Sequence, residues 1–468
     1  MDRNEEYKTL LSELEETPLK LDFTLERALA RKRSTLRRRR KAIFAPLGSV
    51  VAVLAVFVLL VNVSPTFAYA AGRLPLLRDL ARFVAFSPSL SAAVENEYVQ
   101  PMDLEQSANG ITARIEYVIV DQKQLNIFYT LQTETYEMLE SSPNILGVDR
   151  KALEGFSVLS GDYGAENDSL RKITVDFSQG TMPEALVLDL DVYKSDVGVK
   201  HSEAPTPASE HDYLFEDSHT LPETLSTFSF TLRFDPNFTA TGEVLALERS
   251  FMLDGQKLTL VTAEIYPTHT RLSFAPDSGN TAWLKSLNFY IENEKGERFE
   301  GITNGISAYG SIDSPMMATY MLESSFFSDS KHLTLHITGV TWLDKDMARV
   351  RLDLKNTTAE TLPEGVDFVS AKRYDDSWLL EFTATQIKEN NSYQVWDWNY
   401  YDAEGQKYAF TSMSSTSAGA TYSDGNKAEE NLFGVRLPLK DYPYDEVWLC
   451  PSFSRRVILD TPVSLEIK

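Results

Sequence analysis

A mainly β chain carried on one membrane helix is what this sequence predicts, and three observations predict it. Apolar residues alternate with period two through much of residues 105–468, glycine turns punctuate the alternating runs, and one run at 42–63 is apolar and uncharged. The expected architecture is a short helical cytoplasmic tail, one transmembrane helix, and then about three extracellular antiparallel β-sandwich-like units. The 468 residues suit roughly three domains of ordinary size. Expected boundaries are a tail at 1–41, the membrane helix at 42–63, a juxtamembrane helix and linker at 64–104, and β units at 105–236, 237–345 and 346–468.

The tail holds 12 Lys/Arg and 8 Asp/Glu, a net +4, and the rest of the chain a net −27, which together make the overall −23. Within it Tyr7, Leu10, Leu11 and Leu14 fall on one helical face. Thr17-Pro18 ends that helix. A second helix is expected after Asp22, an N-cap residue, carrying Leu25, Ala28, Leu29 and Leu36. Two short amphipathic helices cannot bury both apolar faces against each other. Exposed stripes of this kind suit docking in a partner's groove, which makes Tyr7, Leu10, Leu11, Leu14, Leu25 and Leu29 the candidate partner-binding residues. The alternative is a loosely ordered tail that only sets topology.

Ala42 to Val63 is 22 residues without a charge, against the about 20 that a spanning helix needs. Pro46 falls in its first turns, where proline costs least. The run Arg31–Lys41 before it has eight basic residues and no acidic one. Basic flanks stay cytoplasmic, so the N-terminus is expected inside and the chain from Pro65 outside. Arg37, Arg38, Arg39, Arg40 and Lys41 would then lie at the membrane surface against anionic lipid. Ala68-Tyr69-Ala70 has the form of a signal-peptidase site, but the basic region ahead and the apolar run are both too long for a cleaved leader.

Outside, Leu76, Leu77, Leu80, Phe83 and Val84 predict a juxtamembrane helix within 71–84. The period then changes. Ile111, Ala113, Ile115, Tyr117 and Ile119 alternate with mostly polar neighbours, as do Leu125, Ile127, Tyr129 and Leu131, and later Leu287–Ile291, Leu333–Ile337, Val350–Leu354 and Val463–Ile467. Asn109-Gly110, Asp254-Gly255 and Lys295-Gly296 are the hairpin turns. Asn109–Thr130 and Asp254–Ala275 echo one another: glycine turn, strand, short turn, strand. Residues 194–226, with Pro205 and Pro207, read as a long exposed loop. The last unit is richest in aromatics.

Recognisable chemistry is sparse. The acidic body repels phosphate backbones, so direct nucleic-acid binding is not expected. No phosphate loop, GxSxG elbow or HExxH helix occurs, and neither an enzyme nor a cofactor is expected. His332 and His336 fall on one strand face, and His201, His211 and His219 in the acidic loop; solvated positions explain both groups better than a metal does. Asp189 and Asp191 share a strand face, better explained by solvation than by calcium. Trp396, Trp398 and Tyr400 could stack on sugars, though core packing is the plainer reading. Cys450, the single cysteine, excludes an intrachain disulfide and reads as a small buried hydrophobe.

The stretch FAYAAGRLPLLRDLARFVAF, with ENEYVQPMDLEQSANGITARIEYVIVDQKQLNIFYTLQT after it, resembles a single-pass membrane family of Gram-positive bacteria. That family is filed as a domain of unknown function and described as anti-sigma-factor-like. The resemblance covers roughly 40–160, and Leu245–Asp344 is similar to the β domain that often follows. It implies a partner, an extracytoplasmic-function (ECF) sigma factor held by the inner tail, with the outer domains responding to an envelope component. Zinc-binding relatives use a His-x3-Cys-x2-Cys motif; this tail has no His or Cys, so binding would run through the leucine stripes without metal. The competing expectation is an envelope protein without signalling, structural or binding wall carbohydrate.

Overall fold

The computed structural model describes residue 8 and residues 74–161, 165–177, 180, 182–195, 223–302, 318–385, 394–416 and 432–468. The chain divides into two compact units, Met1–Asp79 and Leu80–Lys468, and the β architecture lies in the latter. The expected tail helices, the basic run and the apolar run at 42–63 lie outside the described residues, Lys8 apart; of the expected loop at 194–226, residues 196–222 lie outside them, while Lys194 ends one strand and residues 224–226 begin another. Among the described residues no helix is long and apolar enough to cross a membrane. The chain is mainly β, built of antiparallel sheets.

Helix α1 (Leu74–Phe83) falls where the 3.6-residue spacing put it. Helix α2 (Pro88–Glu95) begins on a proline, whose fixed φ suits a first helical turn. The first sandwich follows. One sheet orders β1 (Gln100–Ala108), β2 (Ile111–Val120), β3 (Gln124–Thr133), β6 (Arg171–Asp176) and β5 (Ser157–Ser160); the other orders β4 (Leu139–Leu146), β7 (Ala185–Lys194) and β8 (Thr224–Arg233). Ile127, Tyr129, Ile173, Leu188 and Phe230 meet in the core between them.

The alternation in β2 breaks where the sequence reading runs straight through. Register shifts between Ile115 and Tyr117, and one extra residue turns every later side chain over. Ile111, Ala113 and Ile115 enter the core, but beyond the shift Val118 and Val120 replace the expected Tyr117 and Ile119. Those two are buried on the opposite face. Phe128 of β3 also lies off the core, edge-on to Phe83 at 6.0 Å.

The second sandwich repeats the device. Its sheets order β14 (Thr319–Leu322), β11 (Thr270–Pro276), β10 (Gln256–Ile265) and β9 (Glu243–Leu253), and β13 (Arg298–Glu300), β12 (Ala282–Asn293), β15 (Leu333–Asp344) and β25 (Arg455–Glu466). Asn109 and Gly110, like Asp254 and Gly255, have positive φ at both central positions, the turn that matches strand twist. Register shifts between Leu260 and Thr262, five residues past the turn glycine as in β2. The echo in sequence is an echo in structure.

The third sandwich is an insertion. Its sheets order β17 (Thr358–Ala359), β16 (Val350–Asp353), β24 (Glu446–Pro451), β20 (Trp396–Tyr401) and β21 (Lys407–Ala409), and β18 (Val366–Tyr374), β19 (Ser377–Thr385), β23 (Leu432–Leu439) and β22 (Ser414–Thr416). The sequence reading gave 346–468 to this sandwich, but β25 pairs with β15 from Thr334↔Glu466 to Trp342↔Arg455. Its side chains Val457, Leu459, Val463 and Leu465 pack on the second core. Each leucine or isoleucine fully buried in these cores contributes about 1.5–3 kcal/mol.

Candidate functional site

Two hairpin turns from the echoed segments meet where the first sandwich joins the second. Asp121 opens the β2–β3 turn, and its Oδ1 accepts the backbone N–H groups of Lys123 and Gln124, both at 2.8 Å. The side chain thereby builds its own turn. Its Oδ2 accepts from Thr268 in the β10–β11 turn, from the backbone N–H at 3.1 Å and from the hydroxyl at 2.6 Å. Thr268 Oγ1, its proton committed to Asp121, accepts in turn from Nδ1 of His269 at 2.8 Å. Arg271 can only donate, and gives its Nε–H to His269 Nε2 at 2.8 Å. The imidazole is therefore neutral, protonated on Nδ1. The Arg271 guanidinium pairs with the Asp176 carboxylate and donates to the carbonyls of Phe177, at 3.3 Å, and Lys123.

None of Asp121, Asp176, Thr268, His269 and Arg271 is more than 4% exposed. Such burial is costly for charge unless each ion is paired and hydrogen-bonded. Burial pushes the Asp121 carboxyl above its ordinary range, against the pull of its Thr268 and turn hydrogen bonds. Burial also lifts Asp176 to about 6, outweighing the opposing charge of Arg271. His269 is driven well below its ordinary value by burial first, then by Arg271 and Lys123.

Helix α2 is tied to the same junction. Its N-cap, Ser87, makes no side-chain capping bond. Glu323, just past β14, supplies the carboxylate instead. Ser89 donates its backbone N–H to Glu323 Oε2 at 2.7 Å and its hydroxyl to the same oxygen, while Ser89 Oγ accepts the Ser324 N–H at 2.6 Å. An anion at this end complements the helix dipole. Lys172 of β6, its pKa lowered by burial, feels the opposing charge of the same Glu323. After α2, the Tyr98 hydroxyl accepts the Ala240 N–H at 2.6 Å, and its ring meets Phe238 and Phe327. Gly242, on the link into β9, lies so close to the Tyr266 ring that a Cβ would fall 2.3 Å from it. Chemically the arrangement is a latch: the two sandwiches share one buried polar network, and Ser89 ties α2 to the second of them.

The residues proposed from sequence fall elsewhere. Tyr7, Leu10, Leu11, Leu14, Leu25, Leu29 and Arg37–Lys41 lie outside the described residues, as do His201, His211 and His219. His332 precedes β15, while His336 lies in it, stacked on Tyr290 with Nδ1 3.0 Å from Ser464 Oγ. Asp189 is paired with Arg150 at 2.7 Å and accepts from Ser229 at 2.6 Å; Asp191 accepts from Thr227. Among the described residues no group of three or more His, Cys, Asp or Glu could hold a metal ion. Trp396 and Tyr400 are core residues, and Trp398 is exposed. Cys450 is half-buried, its thiol pushed up to about 11, mainly by burial. The sequence reading assigned His269 and Asp121 no role. An isolated threonine–histidine pair gives no signal without its partner 147 residues away.

Residues 38–133 match a family model described as Domain of unknown function (DUF4179), and residues 242–368 one described as Family of unknown function (DUF5643). Both fall on the segments that carry the sequence resemblance. No curated protein matches. Among solved structures, the conserved domain protein from Bacillus anthracis aligns at 13% identity, covering 58% of this chain and 82% of its own, with a TM-score of 0.39.

Proposed function

We propose that the chain is a membrane-anchored regulator of the anti-sigma type. The apolar run at 42–63 spans the bilayer, residues 1–41 lie inside, and the β sandwiches lie outside. The tail holds an ECF-type sigma factor through Tyr7, Leu10, Leu11, Leu14, Leu25 and Leu29. Arg37 to Lys41 rest on the inner leaflet. The sandwiches respond to an envelope component without catalysis, cofactor or metal. One observation supports the signalling reading over a purely structural one: the α2 N-terminus is capped by Glu323, from the second sandwich. A change in how the sandwiches pack would therefore be felt at the helices that follow the membrane run.

The test is on the tail. Leu10→Asp with Leu14→Asp should weaken capture of the sigma factor by the 1–41 peptide by about two decades or more, since each buried leucine contributes about 1.5–3 kcal/mol. The same change in the full chain should switch the sigma-dependent genes on. Glu13→Lys, off the stripe, should do far less. If the wild-type tail captures no sigma factor and the double variant transcribes normally, the tail is an anchor alone. A labelling scan that finds residues 20 and 300 on the same side of the membrane would remove the topology.

A further inference from the structure

The geometry points to a saccharide-binding groove on the third sandwich, centred on Trp398. A regular strand would send Trp396, Trp398 and Tyr400 to one face. Instead, between the pairs Trp396↔Pro451 and Tyr400↔Leu449, β20 advances four residues while β24 advances two. Irregularities of this kind re-aim side chains and concentrate beside functional sites. Here Trp396 and Tyr400 go into the core at 1% and 2% exposure, and Trp398 is turned out at 49%.

The indole it presents lines a depression of about 240 Å³ together with Met413, Val435, Ser414 and Ser415. Trp396 lines it too, and its Nε1 is buried with no hydrogen-bond partner among the described residues. No charged side chain lines the groove among the described residues, which disfavours ionic ligands. The volume lies below the roughly 300–1,000 Å³ of drug-sized sites, so it suits one ring. A broad aromatic face and two hydroxyls, with no charge beside them, match a neutral pyranose. Its C–H face would stack on Trp398 while its hydroxyls meet Ser414 and Ser415.

This goes beyond the regulator reading and is tested separately from it. The full chain in detergent is titrated with β-1,4-linked oligomers of N-acetylglucosamine and of glucose, read by calorimetry and tryptophan fluorescence. At least one series should bind saturably, and Trp398→Ala should weaken it at least tenfold with thermal unfolding unchanged. Absence of saturable binding to either series, or equal binding by Trp398→Ala, overturns the proposal whatever the tail assays show.

Discussion

Asp121 and Thr268, 147 residues apart in the chain, share two hydrogen bonds through a single carboxylate oxygen inside the protein. Behind that contact stands a buried cation, Arg271, paired with Asp176. Replacing Arg271 with Met strands the buried Asp176 carboxylate, and breaking a buried pair from one side costs about 3–5 kcal/mol. Arg271→Lys keeps the charge but loses the donor to His269, and should fall between. Urea unfolding of the full chain measures both. A Met variant within 1 kcal/mol of wild type, about the worth of one ordinary hydrogen bond, would mean that the latch carries no load.

The pH dependence has two opposing parts. Asp176 is raised on folding from the ordinary 3.8 to about 6, so its contribution is fully present below 3.8 and is lost as pH rises to 6. His269 is lowered, so its contribution is fully present above 6.5 and is lost as pH falls below it. The stability difference between wild type and Asp176→Asn should therefore decline from pH 4 to 6, by at most about 1.4 kcal/mol per unit. The difference between wild type and His269→Gln should decline instead on acidification below 6.5. Unfolding titrations across that range decide the signs. An Asp176 difference that grew with pH would show that the Arg271 charge outweighs burial.

Releasing α2 should be visible locally. Glu323→Gln removes the charge that caps the helix, at a cost of about 1 kcal/mol. Amide hydrogen exchange over Ser89–Ala93 should quicken several-fold while the strand cores keep their protection. Unchanged exchange in that helix would mean that Ser89 is held by packing alone.

Because β15 and β25 pair directly, residues 347–452 can be replaced by a short turn and the second sandwich should still fold. Cutting the chain after Pro451 should do the reverse, unfolding the second sandwich although every strand of the third remains. Limited proteolysis of the two variants distinguishes them. A stable second sandwich in the truncated chain would mean that β25 is dispensable.

Much of the fold was legible because half-buried strands write their burial every second residue: Leu125, Ile127, Tyr129 and Leu131 all reach the core as their spacing implies. Reading failed where a local irregularity or a distant partner overrides that period. Nothing in ARIEYVIV marks Glu116 as the point where β2 turns over. The return of β25 across the third sandwich leaves no trace in its own alternation, which would suit any half-buried sheet. The same irregularity in β20 separated Trp398 from its two neighbours. The latch was invisible for a different reason, since its charges are ordinary residues until two turns bring them together.

The crossing of the third sandwich sits at one end of the β15–β25 ladder. Ser454 donates its backbone N–H to the Trp342 carbonyl at 2.7 Å and its hydroxyl to Asp344 at 2.7 Å, and Arg455 reaches the same Asp344 at 3.3 Å. A pull on the third sandwich away from the first thus enters through two neighbouring strands at their shared end. The ladder then opens as a zipper, beginning at Trp342↔Arg455, instead of resisting along its whole length in shear. The force at which the ladder begins to open is thus set first by the bonds around Ser454.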